Sequence, residues 1–334
     1  MNITFFEIKE DWQKNWLEER LGKNQLQFSS LTLAEETGLA KHSEAVGVFV
    51  NSGVDAKILD QLPNLKLIVT LSTGFDHIDI AECKKRGIAV CNVPAYGEQT
   101  VAEFAFALIL ALSRKIYPAV KRVKEQGLFS TDNLRGFDLL GKTLGVVGTG
   151  RIGARVVKIA SGFGMKLAAY DPYPNEALKK EFNLEYFSLQ DLLKKSDIVT
   201  VHVPYSEKTH HLINAENFEL IKPGALLINT ARGAVVDTQS LIRALHSGKI
   251  AGAGLDVLEE EGAIIDELNL LSGHPGEEKL KAVLADHELM RMDNVLVTPH
   301  NAFNTQEALT RIMLASAENI ESFASGSAQN VVNK

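Results

Sequence analysis

The stretch Gly145-Val146-Val147-Gly148-Thr149-Gly150-Arg151-Ile152-Gly153, answered by Asp171, decides the fold of half this chain. Residues 142–147 read as a short apolar strand and residues 154–163 as helix. Residues 166–170 form a second strand that ends on the acid. Strand, Gly-x-Gly-x-x-Gly, helix, strand and acid, in that order, make the dinucleotide-binding fingerprint in its required context. Gly148 suits a tight turn, Gly150 a close approach of backbone to pyrophosphate, and Gly153 the packing of helix on strand. The helix N-terminus offers free N–H groups and a positive dipole end to the phosphates. Arg151 and Ile152 fall inside this turn, and Asp171 is placed to accept from the ribose hydroxyls.

Working outward, some 140 residues precede the motif and must build something else. In the first hundred, apolar strand candidates lie at 3–8, 25–28, 46–50, 67–71 and 88–91. Helical patterns separate them at 12–21, 33–41, 55–61 and 78–86. That alternation predicts a parallel, doubly wound sheet. After the motif the rhythm resumes, with strands expected at 198–201, 225–229, 251–255 and 295–297, six in this second block. Residues 101–114 are apolar on nearly every face, so this helix is expected to be buried between domains or subunits. Residues 262–293 interrupt the second block as an insertion, helical at 277–290. A closing helix at 307–323 finds no strand partner there and is expected to return to the first block. The layout is then a domain of residues 1–98 and 300–334 with a second domain, 99–299, inserted into it.

Composition excludes several classes. The chain has 334 residues, 45% hydrophobic and 23% charged, enough for a core in each of two domains. A net charge of −7 argues against a general nucleic-acid or anionic-membrane binder. The longest apolar run, 104–112, is too short to cross a bilayer, and the N-terminus shows no signal-peptide pattern. Cys83 and Cys91 have no metal spacing and read as reduced core thiols of a cytoplasmic protein. His210-His211 has no second ligand cluster, so no metal is expected.

Three polar residues stand where strands of the second block give way to loops. Arg232 follows the strand at 225–229, His300 follows the strand at 295–297, and Glu261 ends the acidic run Glu259-Glu260-Glu261 after the strand at 251–255. In open parallel sheets the ligand crevice lies at these carboxyl ends. Reducing a 2-keto acid needs a hydride, a proton and a cation for the carboxylate. A nicotinamide cofactor gives the first. His300 suits the second, and the planar fork of Arg232 the third. A carboxylate accepting from the other ring nitrogen would favour the protonated imidazole and fix its orientation. Periodicity does not choose among the three glutamates.

These residues carry a family resemblance over nearly the whole chain. The segments are Ser72-Thr73-Gly74-Phe75-Asp76-His77-Ile78-Asp79, Asn92-Val93-Pro94-Ala95-Tyr96, Thr100-Val101-Ala102-Glu103, the glycine motif and His202-Val203-Pro204. Asn229-Thr230-Ala231-Arg232-Gly233, Leu255-Asp256-Val257 and Thr298-Pro299-His300 complete the set. In order and spacing the chain resembles the D-isomer-specific 2-hydroxyacid dehydrogenases, most closely the D-lactate and D-2-hydroxyisocaproate branch. The resemblance implies an α/β protein of two doubly wound parallel-sheet domains, a Rossmann NAD-binding domain inserted into a discontinuous flavodoxin-like substrate domain. It implies Arg232 as substrate cation, Glu261 as the glutamate pairing with the histidine, and His300 as proton donor. Thr73 and Gly74 match the loop whose N–H groups hold the substrate carboxylate, and Tyr96 and Phe303 match positions lining its side chain. Expected NAD contacts are Gly148, Gly150, Arg151, Ile152, Gly153, Asp171, Val203, Pro204, Thr209, Thr230, Ala231 and Asp256. A homodimer through the nucleotide domain is implied, with the apolar helix at 101–112 suited to its interface. Leu71 departs from the family, which often has arginine there, and Asn301 replaces a frequent threonine or serine. The implied activity interconverts a short 2-keto acid and its D-2-hydroxy acid, pyruvate and D-lactate above all. Reduction of glyoxylate, hydroxypyruvate or branched keto acids, or a dinucleotide-sensing corepressor role, are the alternatives.

Overall fold

The computed structural model of the chain describes residues 1–259 and 277–334. Its contacts divide the chain into two compact units, Met1–Tyr96 with Asn304–Lys334, and Gly97–Phe303. His300 to Phe303 therefore belong to the second unit, where the sequence had placed them in the first.

The first unit opens β1 (Asn2–Phe5), α1 (Asp11–Leu21), β2 (Gln25–Phe28), β3 (Ala45–Val48), α2 (Ala56–Leu59), β4 (Leu67–Thr70), α3 (Ile80–Lys85) and β5 (Ala89–Cys91). All five strands are parallel, in the order β2-β1-β3-β4-β5. This is the flavodoxin-like doubly wound order. Every residue of β3 and β4 is buried, as expected for central parallel strands covered on both faces. Helix starts are capped by side chains. Asp55 accepts from the Ile58 N–H and Asp79 from the Glu82 N–H, each cap contributing about 1 kcal/mol. The helix expected at 33–41 shrinks to a 3-10 turn at Thr37–Ala40. Leu33, Thr37 and Ala40 do face the core with helical spacing, and the Leu33 N–H donates to the Ser52 hydroxyl.

The second unit begins with α4 (Glu98–Ser113) and α5 (Ile116–Gln126), followed by β6 (Thr143–Val147), α6 (Arg151–Gly162), β7 (Lys166–Tyr170), α7 (Glu176–Phe182), β8 (Glu185–Tyr186), α8 (Leu189–Lys195) and β9 (Ile198–Val201). Then come α9 (Ala215–Leu220), β10 (Ala225–Asn229), α10 (Thr238–His246), β11 (Ile250–Leu255), α11 (Glu277–Arg291) and β12 (Val295–Val297). The sheet has seven parallel strands in the order β12-β11-β10-β9-β6-β7-β8, one more than expected. The switch point lies between β6 and β9, where the order reverses. Alternate residues feed two cores. Val146, Leu226 and Ile228 face one, and Val147, Ala225 and Leu227 the other.

The apolar helix α4 packs into one of these cores. Ala102, Ala105, Phe106, Leu108 and Ile109 pack with α6, β10 and β11 of its own unit. Gly254 on β11 admits it. A Cβ there would sit 3.0 Å from the Leu108 Cβ and 3.3 Å from Leu112.

The chain finally returns to the first unit as α12 (Gln306–Ala324), capped by Thr305 and packed on β4 and α1. The tail covers the edge of β5. Val332 N–H donates to Val90 O, the Asn333 side chain accepts from Val90 N–H, and Val331 bridges Cys91 antiparallel. An otherwise open sheet edge is thereby paired. Among the described residues, no helix is long and apolar enough to cross a membrane.

Candidate active site and cofactor cradle

The glycine loop connects β6 to α6 with the geometry a phosphate cradle needs. Gly148 has φ of 93°, and a Cβ there would lie 2.8 Å from Val203 and 3.0 Å from the His202 backbone. A Cβ at Gly153 would strike the Gly148 carbonyl at 2.0 Å, so only glycine lets the helix seat on the loop. At Gly150 the space is open, with nothing within 4 Å of an added Cβ. Gly150 caps α6 with no side-chain hydrogen bond, leaving the first turn without a side-chain acceptor. Asp171 follows β7 and turns back to this loop. Its Oδ2 accepts from Thr149 N–H at 2.7 Å and from the Thr149 hydroxyl at 3.0 Å.

On the other side of the switch point, β9 leads into His202-Val203-Pro204. The Thr209 hydroxyl donates to Pro204 O and accepts from Ser206 N–H, closing this loop on itself. The buried hydroxyl of Thr230, after β10, has no partner among the described residues. An orphaned donor at the sheet edge that also carries an open glycine cradle is what a dinucleotide site would leave for its ligand. The residues present therefore fit NAD.

Arg232 follows β10 and His300 follows β12, with β11 between them in the sheet. Asn229 pairs with Leu255 and Leu255 with Val297, so the loops after these strands leave one edge side by side. Each loop is held locally. Asn229 donates to Arg232 O and accepts from Ala231 N–H. The Arg232 guanidinium donates to Ala231 O at 2.7 Å. Asp256, after β11, is only 1% exposed and organises the His300 turn. Its backbone carbonyl accepts from His300 N–H, its Oδ1 accepts from Asn301 N–H and the Thr298 hydroxyl, and its Oδ2 accepts from Ala302 N–H. Burial pushes the Asp256 carboxyl up, and these three donors with the nearby His300 pull the other way. His300 itself adopts φ of 50°, the left-handed region that costs a histidine energy unless its surroundings enforce it. The expectation that Asp256 meets cofactor thus acquires a companion, a role in shaping the proton-donor turn, which its position in the sequence did not reveal.

Glu259 is engaged elsewhere. Its carboxylate meets His211 Nε2 at 2.6 Å and accepts from the Thr238 hydroxyl at 2.8 Å. His210 stacks on His211 with ring centroids 3.9 Å apart. The pair His210-His211 is therefore a structural element of this loop, and no cluster of metal-binding side chains occurs among the described residues. Glu261 and Glu260 lie outside the described residues.

In the first unit, the loop after β4 carries Thr73 and Gly74. The Thr73 hydroxyl donates to Val93 O, and Asn92 holds Thr73 O. Among the described residues no acceptor meets the backbone N–H groups of Thr73 and Gly74. Leu71, where the family often has arginine, is 2% exposed and packs as core. Tyr96 O accepts from Arg311 Nε at 2.8 Å, and Tyr96 and Phe303 are each half-buried. Both cysteines are buried and unbridged, and burial pushes each thiol up to about 11. That chemistry suits core packing.

Residues 106–302 match the model of the D-isomer specific 2-hydroxyacid dehydrogenase, NAD binding domain. The chain is 42% identical to 2-hydroxyacid dehydrogenase A of Aspergillus oryzae over 97% of its length and 92% of the relative's. It is 37% identical to the glyoxylate reductase of Korarchaeum cryptofilum, over 88% of this chain and 84% of that one. The crystal structure of D-lactate dehydrogenase from Aquifex aeolicus, complexed with NAD and lactic acid, superposes with a TM-score of 0.87 at 39% identity, covering 98% of this chain and 96% of that one. By these matches and the cradle they fall on, the chain belongs to the D-isomer specific 2-hydroxyacid dehydrogenases, with NAD as its cofactor.

Proposed function

We propose that the chain reduces pyruvate to D-lactate. Bound NADH supplies the hydride to the carbonyl carbon. His300 donates the proton to the carbonyl oxygen, from a turn that Asp256 fixes before substrate arrives. Arg232 pairs with the substrate carboxylate through its planar fork. Thr73 and Gly74 carry two further N–H groups suited to a carboxylate. Glu261 accepts from the second ring nitrogen of His300, a role that rests on its family position. Glu259 is not available for it, since His211 and Thr238 already hold that carboxylate. The observation that carries this reading is the left-handed His300 turn clamped by a buried carboxylate at the sheet edge that also presents Arg232.

The choice of pyruvate rests on Tyr96 and Phe303, two bulky residues at positions that line the substrate side chain in the D-lactate branch. The glyoxylate reductase relative favours glyoxylate as the second reading. A kinetic panel of pyruvate, 2-ketoisocaproate, glyoxylate and hydroxypyruvate with NADH tests it. Pyruvate is expected to have the highest kcat/KM, and Phe303→Ala to improve 2-ketoisocaproate relative to pyruvate by about tenfold. A wild-type preference for glyoxylate or the larger acid would displace pyruvate. Turnover of none of them would leave the dinucleotide-sensing role.

We also propose a homodimer through the second unit, and a cytoplasmic setting suited to two buried free thiols. The exposed face of α5 carries the apolar surface for the dimer, where the sequence had assigned it to residues 101–112.

A further inference from the structure

We propose that Tyr186 and Thr149 are positioning residues for cofactor selectivity, acting on the nucleotide through Asp171. The inference rests on NAD as the cofactor but not on which keto acid is reduced.

The three side chains form a wire with a single direction. Asn175 N–H donates to the Tyr186 hydroxyl at 3.0 Å. With its acceptor face so engaged, Tyr186 sends its own proton to the Thr149 hydroxyl, also at 3.0 Å. Thr149 in turn donates to Asp171 Oδ2 at 3.0 Å, alongside its backbone N–H at 2.7 Å. A carboxylate is an acceptor only, so the wire must end there. Thr149 is 4% exposed, in the glycine loop itself. Tyr186 sits on the two-residue strand β8, where it pairs with Ala169 on β7. The wire thus ties the outermost strand to the loop between β6 and α6, across the end of β7.

The consequence lies in what Asp171 has left to offer. A carboxylate has about four lone-pair sites. Oδ2 receives two donors from Thr149, and Oδ1 receives Tyr173 N–H at 2.8 Å. One site on Oδ1 remains. The side chain is held from both oxygens and has little freedom to rotate. A ribose hydroxyl that donates finds an acceptor already oriented. A 2′-phosphate meets a fixed negative charge that cannot swing away. Discrimination depends on that immobility as much as on the charge. No feature of the Asp171 sequence context announces it, because Tyr186 lies 15 residues further on, in a strand too short to read.

The test measures NADH and NADPH binding by nucleotide fluorescence, without keto acid, in wild type, Tyr186→Phe, Thr149→Ala and Thr149→Ser. Losing one hydrogen bond of the wire should weaken NADH about three- to tenfold in Tyr186→Phe and Thr149→Ala. NADPH should change less, so the ratio of the two dissociation constants narrows. Thr149→Ser keeps the hydroxyl and should restore the wild-type ratio. The same comparison in an Asp171→Ala background separates positioning from general damage. There Tyr186→Phe should have no further effect on NADH, because the group it acts through is gone. Unchanged ratios in Tyr186→Phe and Thr149→Ala, or an equal effect of Tyr186→Phe with and without Asp171, would overturn the proposal. Failure of every keto acid to turn over would bear on the proposed reaction and leave these binding constants intact as evidence.

Discussion

At the scale of single residues, the His300 turn depends on Asp256 having two oxygens. Oδ1 faces Asn301 N–H and the Thr298 hydroxyl, while Oδ2 faces Ala302 N–H. An amide has one acceptor oxygen, and its NH2 group would face a donor in either orientation. Asp256→Asn should therefore leave at least one buried donor unpaired, costing about 1–3 kcal/mol in denaturant unfolding. Release of the left-handed turn should lower turnover by tenfold or more in the same variant. His300→Ala should lose about 10²–10⁴-fold in turnover with little change in thermal stability, because it removes the proton donor and not the clamp. If Asp256→Asn kept full turnover, the turn would not need its carboxylate. The glycine roles, the Asp171 position and the Arg232 and His300 strand ends were legible in the sequence, since each follows from a local pattern. The clamp was not. It joins Asp256 to residues 42–46 positions away, and such a pairing exists only once β11 and β12 are neighbours.

Among the elements, α5 begins after Lys115, which has φ of 51°. Pro118 lies in its first turn, where a missing N–H costs nothing. The helix has no buried residue. Ile116, Val120 and Val123 recur with helical spacing and are 51%, 46% and 47% exposed. Leu128 and Phe129 continue the surface, Phe129 at 98% exposure. An amphipathic helix with its apolar stripe facing water suits the proposed dimer. Light scattering should give about twice the chain mass for wild type. Val123→Glu with Phe129→Asp should halve it while leaving NADH binding within about twofold, because neither side chain is near the glycine loop in sequence or sheet. A wild-type monomer, or a variant that stayed dimeric, would remove α5 from the interface. Strand β8 was missed in the sequence. Two residues carry no periodicity, and only pairing with Ala168 and Ala169 on β7 defines them. The central strands were readable because burial on both faces makes them continuous apolar runs.

For the whole molecule, the same burial that stabilises the second sheet sets how the protein meets acid. His202 directly follows β9, which lies between β6 and β10 in the sheet interior. Burial pushes its imidazole down to about 3. Its Nε2 shares a hydrogen bond with the Thr200 hydroxyl, and its Nδ1 has no partner among the described residues. Unfolding returns this ring to water, where it binds a proton near pH 6.5. The unfolded chain then holds more protons than the native one between about pH 6.5 and 3. This one group should lower stability as pH drops through that window, by at most about 1.4 kcal/mol per pH unit. Glu44, Glu82 and Asp197 have lowered carboxyl values through their pairing with basic side chains and N–H groups, against the burial that opposes it at Asp197. Their contributions are present above the usual carboxylate range and are lost only at lower pH. Among these groups His202 alone should lose stability between pH 6.5 and 5, while the raised Asp256 carboxyl works in the opposite sense. Denaturant unfolding at pH 7.0, 6.0 and 5.0 should show a decline in wild type that flattens in His202→Gln, which keeps a polar partner for Thr200 without titrating. Two parallel pH dependences would assign the sensitivity to another group. A shallower one in the variant would tie it to His202, in the loop that follows β9.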